Sequence, residues 1–264
     1  MEYIGGYAFI YSPITSVTIP RSVREINDNP FTECSDLASI QVESGNPYYN
    51  SNGNCNAIIE TATKTLISGC KNTVIPEDVK IIGQDAFNGT SPEILVIPNQ
   101  VTTIKEYAFN NSDDLTTITI GKNVSSIEKD NFVMRRDYFK VTDVYSYAKT
   151  PPSLGEHVFT WYWISNTTNY SEYTSQVTLH VPASSIDLYR NADVWKDFNP
   201  IVALPDEGIT TGLNEAAPQI DNGQLTIDNA SDAWFTIDGR KLSGKPTKKG
   251  VYIHNGRAVV NYRQ

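Results

Sequence analysis

An isoleucine followed five positions later by a phenylalanine recurs five times in this chain, at Ile4 and Phe9, Ile26 and Phe31, Ile82 and Phe87, Ile104 and Phe109, and Ile127 and Phe132. Neighbouring copies lie 22 or 23 residues apart, as from Ile4 to Ile26 and from Ile104 to Ile127. A fixed period of this length means stacked coils, each burying its apolar face against the next. Such a chain forms an elongated scaffold, whose usual business is binding along an extended surface.

The unit is longer than its two anchors. Leu115, Ile118, Ile120, Val124, Ile127 and Phe132 define it, and Ile14, Val17, Ile19, Val23, Ile26 and Phe31 match position by position. In Val17-Thr18-Ile19 and Ile118-Thr119-Ile120 apolar residues alternate with threonine, the period of a strand with one buried face. Pro20, Pro76, Pro98 and Pro182 follow the strands, where a missing N–H and a fixed φ end the ladder. The second half, Val-x-x-Ile-x-x-x-Ala-Phe, has helical or 3₁₀ spacing. We read it as a brief strand or turn, then a single helical turn planting the ring in the core. The fold class is therefore a β-rich solenoid, with a parallel ladder on one side and short 3₁₀ or helical turns opposite. Phe9, Phe31, Phe87, Phe109, Phe132, Ile26, Ile82, Ile104 and Ile127 are its predicted core. Each buried ring is worth roughly 1.5–3 kcal/mol relative to exposure.

Two stretches break the period. Ile26 and Ile82 are 56 residues apart, and the surplus lies within 44–70, where 57–61 and 65–69 read as a hairpin. After Phe132 a long segment holding Trp161-Tyr162-Trp163 matches no repeat, although strands show at 141–145 and 177–182. From Ser184, with Ser184 or Ser185 as N-cap, residues Ile186, Tyr189, Trp195, Phe198 and Ile201 read as an amphipathic helix and its exit. A helix at about 184–198 would close the open end of the last coil. The solenoid then spans 1–204, a linker bounded by Pro205 and Pro218 spans 205–218, and 219–264 forms a small β module. In that module 233–238 and 250–254 read as strands, with turns at Asp238-Gly239 and Asn255-Gly256. Seven acids balance seven bases in residues 205–264, so the whole net charge of −9 belongs to residues 1–204.

The acidic balance argues against a nucleic-acid partner, which needs a basic face. No run approaches the roughly 18 apolar residues of a membrane span. Met1 stands where other copies carry Val23, Val79, Val101 and Val124, so the chain reads as starting inside a repeat, without a signal peptide. Cys34, Cys55 and Cys70 are too few for a disulfide scaffold. Cys55 and Cys70 flank the hairpin, so packing and a disulfide both stay open for them.

The motifs ITSVTIPRSVREI, ILVIPNQVTTIKEYAF and LTTITIGKNVSSIEKDNF resemble the BspA-like leucine-rich-repeat family of bacterial surface proteins, frequent in the Bacteroidetes. The variant coil from Asn54 to Thr61 and the ending from Ile186 to Ile201 are similar to elements of that family. The resemblance covers about three quarters of the chain. It implies a secreted or surface-attached protein, in a family some of whose members act in adhesion or host-protein binding, and it implies no catalytic residues. The tail from Phe235 to Val260 is similar to the short β modules of exported Bacteroidetes proteins, including secretion-sorting domains; a sorting role and a structural one both stay open.

Reactive constellations are not legible. His157, His180 and His254 are far apart and lack metal-ligand spacing, and no nucleophile elbow, zinc-protease motif or phosphate loop is present. We therefore expect a non-enzymatic protein without cofactor or metal, a monomer, located outside the cell or on its surface. The candidate ligand-binding residues are Trp161, Tyr162, Trp163, Tyr170 and Tyr173, aromatic planes among Asn, Thr and Ser. Such planes stack sugars or anchor a protein partner, or else pack on the solenoid's flank. The expected partner is a protein or a glycan; a mere spacer for another domain is the third reading.

Overall fold

A computed structural model describes residues 1–161 and 171–204, and further on 219–221, 224–226, 234–236, 242, 244–247, 250–254 and 257–261. The chain divides into two compact units, Met1–Leu204 and Pro205–Gln264.

The first unit is a solenoid with two parallel ladders. The long ladder begins with Ser16–Ile19 beside Ser39–Val42. It resumes as a five-stranded parallel sheet of Ile94–Val96, Thr117–Ile120, Asp143–Ser146, Thr178–Pro182 and Ile201–Leu204. The short ladder pairs the repeat isoleucines: Ile4 with Ile26, then Ile82 with Ile104 and Ile104 with Ile127. Both follow from the two-residue alternation, because Ile19, Ile40, Leu95, Ile118 and Val144 point inward and are buried while their neighbours face out. The surplus at 44–70 is the expected hairpin. Ile58–Glu60 runs antiparallel to Thr65–Ser68, which joins the short ladder beside Ile81–Ile82.

Between the isoleucine and the phenylalanine the backbone makes turns, not a helical turn. Ala86 N donates to Gly83 O and Ala108 N to Lys105 O, three residues back in each case. The residue two before the ring (Tyr7, Asp85, Tyr107, Asp130 or His157) has φ between 55° and 59°. That left-handed step reverses the chain so the ring drops inward. The turns then bond coil to coil, Phe87 N to Ala108 O at 2.8 Å and Gly89 N to Asn110 O at 3.0 Å.

The rings form a column. Phe87, Phe109, Phe132 and Phe159 stack with centroids 5.0–5.1 Å apart, and all four are fully buried with Phe31. Phe159 is a sixth copy, five residues after Leu154, whose strand Ser153–Leu154 pairs with Ser126–Ile127. Phe9, placed in the core from sequence, stacks on Phe31 at 5.3 Å yet is 40 % exposed. Its second face meets no ring among the described residues. The column also breaks between Phe31 and Phe87, where the hairpin's end enters. A Cβ on Gly69 would lie 2.1 Å from the Phe87 ring, so only glycine fits there. The buried residues accordingly fall into two clusters, one from Ile4 to Cys70 and one from Cys55 to Phe198.

The predicted cap helix is shorter than expected: 3₁₀ turns at Ala183–Ser185 and Trp195–Asp197 flank a helix of six residues, Ile186–Asn191. Ser185 does not cap it; its hydroxyl donates to Lys149 O at 2.8 Å. Trp195 and Phe198 meet Phe159 edge-on at 5.4 and 5.2 Å, sealing the column. Their polar neighbours are satisfied, since Trp195 Nε1 donates to Pro152 O and Tyr189 Oη to Ala148 O, as buried Trp and Tyr require.

All three cysteines are free and buried. Cys55 and Cys70 belong to different core clusters and form no disulfide. In the second unit Gln219–Asp221 pairs antiparallel with Gln224–Thr226. Trp234–Thr236, Gly250–His254 and Arg257–Asn261 form an antiparallel sheet whose last two strands pair His254 with Arg257 across the Asn255-Gly256 step. The predicted linker and the Asp238-Gly239 turn lie outside the described residues.

Candidate interaction surface

The outward positions of the long ladder form two rows running along the solenoid. One row aligns Ile94, Thr117, Asp143 and Thr178; the other aligns Val96, Thr119, Tyr145, His180 and Val202, with Thr119 buried between Val96 and Tyr145. Val74-Ile75-Pro76 repeats Val96-Ile97-Pro98 one period earlier in the sequence. Val74 is 53 % and Val96 44 % exposed, while their neighbours Ile75 and Ile97 are buried. The alternation that builds the core thus leaves two valines in solvent.

Farther along, His180 stacks on Tyr145 with centroids 4.1 Å apart and planes 8° from parallel. Its Nε2 lies 2.8 Å from Asp143 Oδ1. Asp143 is the one carboxylate in the two rows, and the histidine already engages it. On a unit that carries the full −9 charge, this stripe is close to neutral. The stacked rings present their edges outward, since they follow one another along the ladder.

The aromatic segment proposed from sequence behaves differently. Trp161 pairs by its backbone with Met134 in a short parallel ladder, Val133–Met134 with Thr160–Trp161. Tyr162, Trp163 and Tyr170 lie outside the described residues. Tyr173, on the helix Ser171–Thr174, is completely buried and cannot meet a ligand. Its ring packs edge-on to Phe139 at 4.6 Å and beside Phe159 at 6.2 Å. Its hydroxyl lies 3.7 Å from Met134 Sδ, and burial drives its pKa far above that of an exposed tyrosine. The physical reason is that the solenoid's flank beside Phe159 needs a ring to cover it. Tyr49 is also structural: it is buried and its hydroxyl accepts from Ile26 N at 2.8 Å.

The other polar clusters are cross-coil ties. Tyr7 Oη donates to Asp85 Oδ2 at 2.6 Å, and burial with that carboxylate pushes the phenol up to about 12. His157 Nδ1 lies 3.1 Å from Asp130 Oδ1. Asn131, missed in sequence, is fully buried; its amide donates to Lys105 O and Glu128 O while Oδ1 accepts from Phe109 N. An asparagine just before a repeat phenylalanine is the signal that could have found it. Among the described residues no group of three or more His, Cys, Asp or Glu is placed to hold a metal ion, and no helix is long and apolar enough to cross a membrane.

Parallel coils, an inward ring per coil and a terminal cap define a leucine-rich-repeat solenoid. The chain belongs to the family described as the BspA type leucine rich repeat region, whose model matches residues 2–70 and 59–159 in six copies. No curated protein matches it. Among solved structures it is similar to a leucine-rich repeat protein from Eubacterium ventriosum ATCC 27560, at 21 % identity and a TM-score of 0.52 over 80 % of this chain and 53 % of that one. Two weaker likenesses are the pneumococcal vaccine antigen PcpA, at 17 % identity, TM-score 0.45, over 78 % and 60 % of the two chains, and a leucine rich cell surface protein from Faecalibacterium prausnitzii A2-165, at 17 %, 0.39, over 66 % and 54 %. The chain spans little more than half the length of these proteins.

Proposed function

We propose that this chain is a non-enzymatic, exported or cell-surface interaction protein that binds a macromolecular partner through the outer face of its long ladder. The carrying observation is the row that runs from the exposed Val96 to the Tyr145 and His180 stack, with the exposed Val74 at the equivalent sequence position one repeat earlier. Isolated surface aliphatics need no explanation, but aligned ones on a near-neutral face of an acidic unit mark a place where a partner can remove apolar area from water. Membership of the BspA type repeat family supports the reading. A protein partner fits better than a stacked sugar, because the two rings offer edges and not faces. The aromatic set of Trp161, Tyr162, Trp163 and Tyr170 supplies a second contact.

The test is a binding screen of the intact chain against purified extracellular and bacterial surface proteins, with a glycan array in parallel. A protein ligand whose binding falls at least about tenfold in the Val74→Asp/Val96→Asp variant, with its unfolding midpoint unchanged, supports the stripe. Undiminished binding by that variant removes it, and sugar-competed retention on the array replaces the protein partner with a glycan.

A further inference from the structure

We propose that Asn52 is a site of spontaneous deamidation, selected by the fold over the chemically identical Asn88. The chain carries four Asn-Gly steps; those at Asn222 and Asn255 adjoin glycines outside the described residues, which leaves Asn52-Gly53 and Asn88-Gly89 to compare. In the reaction the glycine nitrogen loses its proton to hydroxide and attacks the asparagine Cγ. A C–N bond forms, the bond from Cγ to Nδ2 breaks, and that nitrogen takes a proton from water, which regenerates hydroxide, and leaves as ammonia. Water then opens the cyclic imide at either carbonyl, giving aspartate or isoaspartate. A glycine at the second position offers no side chain to hinder that attack, and exposed asparagines of this kind are a thermolabile feature of proteins.

The fold treats the two steps in opposite ways. Gly89 N, the nucleophile of one step, donates to Asn110 O on the next coil at 3.0 Å. The Asn88 amide is held as well, with Nδ2 on Asp85 Oδ1 at 2.7 Å and Oδ1 buried. Attack there would need both bonds broken inside a stacked turn. Asn52 lies in the 3₁₀ turn Asn52–Asn54 and is exposed. Its backbone N donates to Asn50 Oδ1 at 3.3 Å, but among the described residues no hydrogen bond holds its side-chain amide, and Gly53 N bonds to no neighbouring coil. The loop is also attached to the proposed surface. Cys55 O accepts from Val74 N at 3.1 Å and Asn56 O from Thr73 Oγ1 at 2.5 Å. Isoaspartate at 52 therefore lengthens the backbone of the loop tied to Val74.

The experiment incubates the intact chain in mildly alkaline buffer, native and urea-unfolded, and follows the one-dalton mass gain at each asparagine by tandem mass spectrometry of its peptides. In the native chain Asn52 should convert at least about tenfold faster than Asn88, the factor expected for releasing a single held group. In urea the two rates should converge, and Asn52→Gln should abolish the gain at that position. Asn88 keeping pace with Asn52 in the native chain would overturn the proposal. So would an Asn52 that stays intact while the unfolded chain converts.

Discussion

The two ends of the phenylalanine column carry the same sequence element and differ in energy. At one end Phe159 is closed by Trp195 and Phe198, and every ring there is buried. At the other Phe9 stacks on Phe31 and leaves a face in solvent. The motif places a ring; the neighbouring coil decides what the ring is worth. This is the nearest-neighbour logic of repeat proteins, in which stability is a sum of contacts between adjacent units.

The largest test of that comparison is Trp195→Ala, which opens the sealed end. It should cost about 3–5 kcal/mol for a large side chain plus its cavity, read by urea unfolding. A loss near zero would mean the cap is decorative. Alkaline pH probes the buried groups next. Burial pushes Cys55 from 9.0 up to about 11 and Tyr189, in the sealed end, from 10.0 up to about 12. Both are held neutral by the fold, so their contribution is complete below about pH 9 and disappears as pH rises through 11 and 12, about 2–3 kcal/mol for each group. A melting temperature flat over that window would contradict the burial.

Gly69→Ala tests the break inside the column. Its Cβ would collide with Phe87, and relieving that overlap should cost about 1–3 kcal/mol, again measured in urea. Phe9→Ala should cost about 1–2 kcal/mol, because Phe9 is 40 % exposed and only part of its burial can be lost. A loss matching that of Trp195→Ala would erase the difference between the ends.

Much of the fold was legible because the period survives in the inward residues. Strand alternation placed Ile19, Ile118 and Ile120, and the surplus length placed the hairpin at 58–68. Phe159 was missed since leucine replaces isoleucine at 154, valine replaces alanine at 158, and the spacing from Phe132 stretches to 27 residues. The turns were misread as helical because their left-handed step is taken by Tyr7, Asp85, Tyr107, Asp130 and His157; glycine, the usual sign of that conformation, is absent there. Exposure of Phe9 and burial of Tyr173 depend on which coil lies alongside, information no local pattern holds. The candidate surface was partly visible in the repeated Val-Ile-Pro of 74–76 and 96–98. The stacking of His180 on Tyr145 was not, because the two rings stand 35 positions apart in the sequence although their rungs are adjacent.

The column itself is best tested by a double-mutant cycle on Phe109 and Phe132, whose rings lie 5.1 Å apart and 4° from parallel. Changing each to leucine, singly and together, and measuring urea unfolding should yield a coupling of about 0.5–1.5 kcal/mol between them. Strict additivity of the two substitutions would contradict a shared spine of stacked rings.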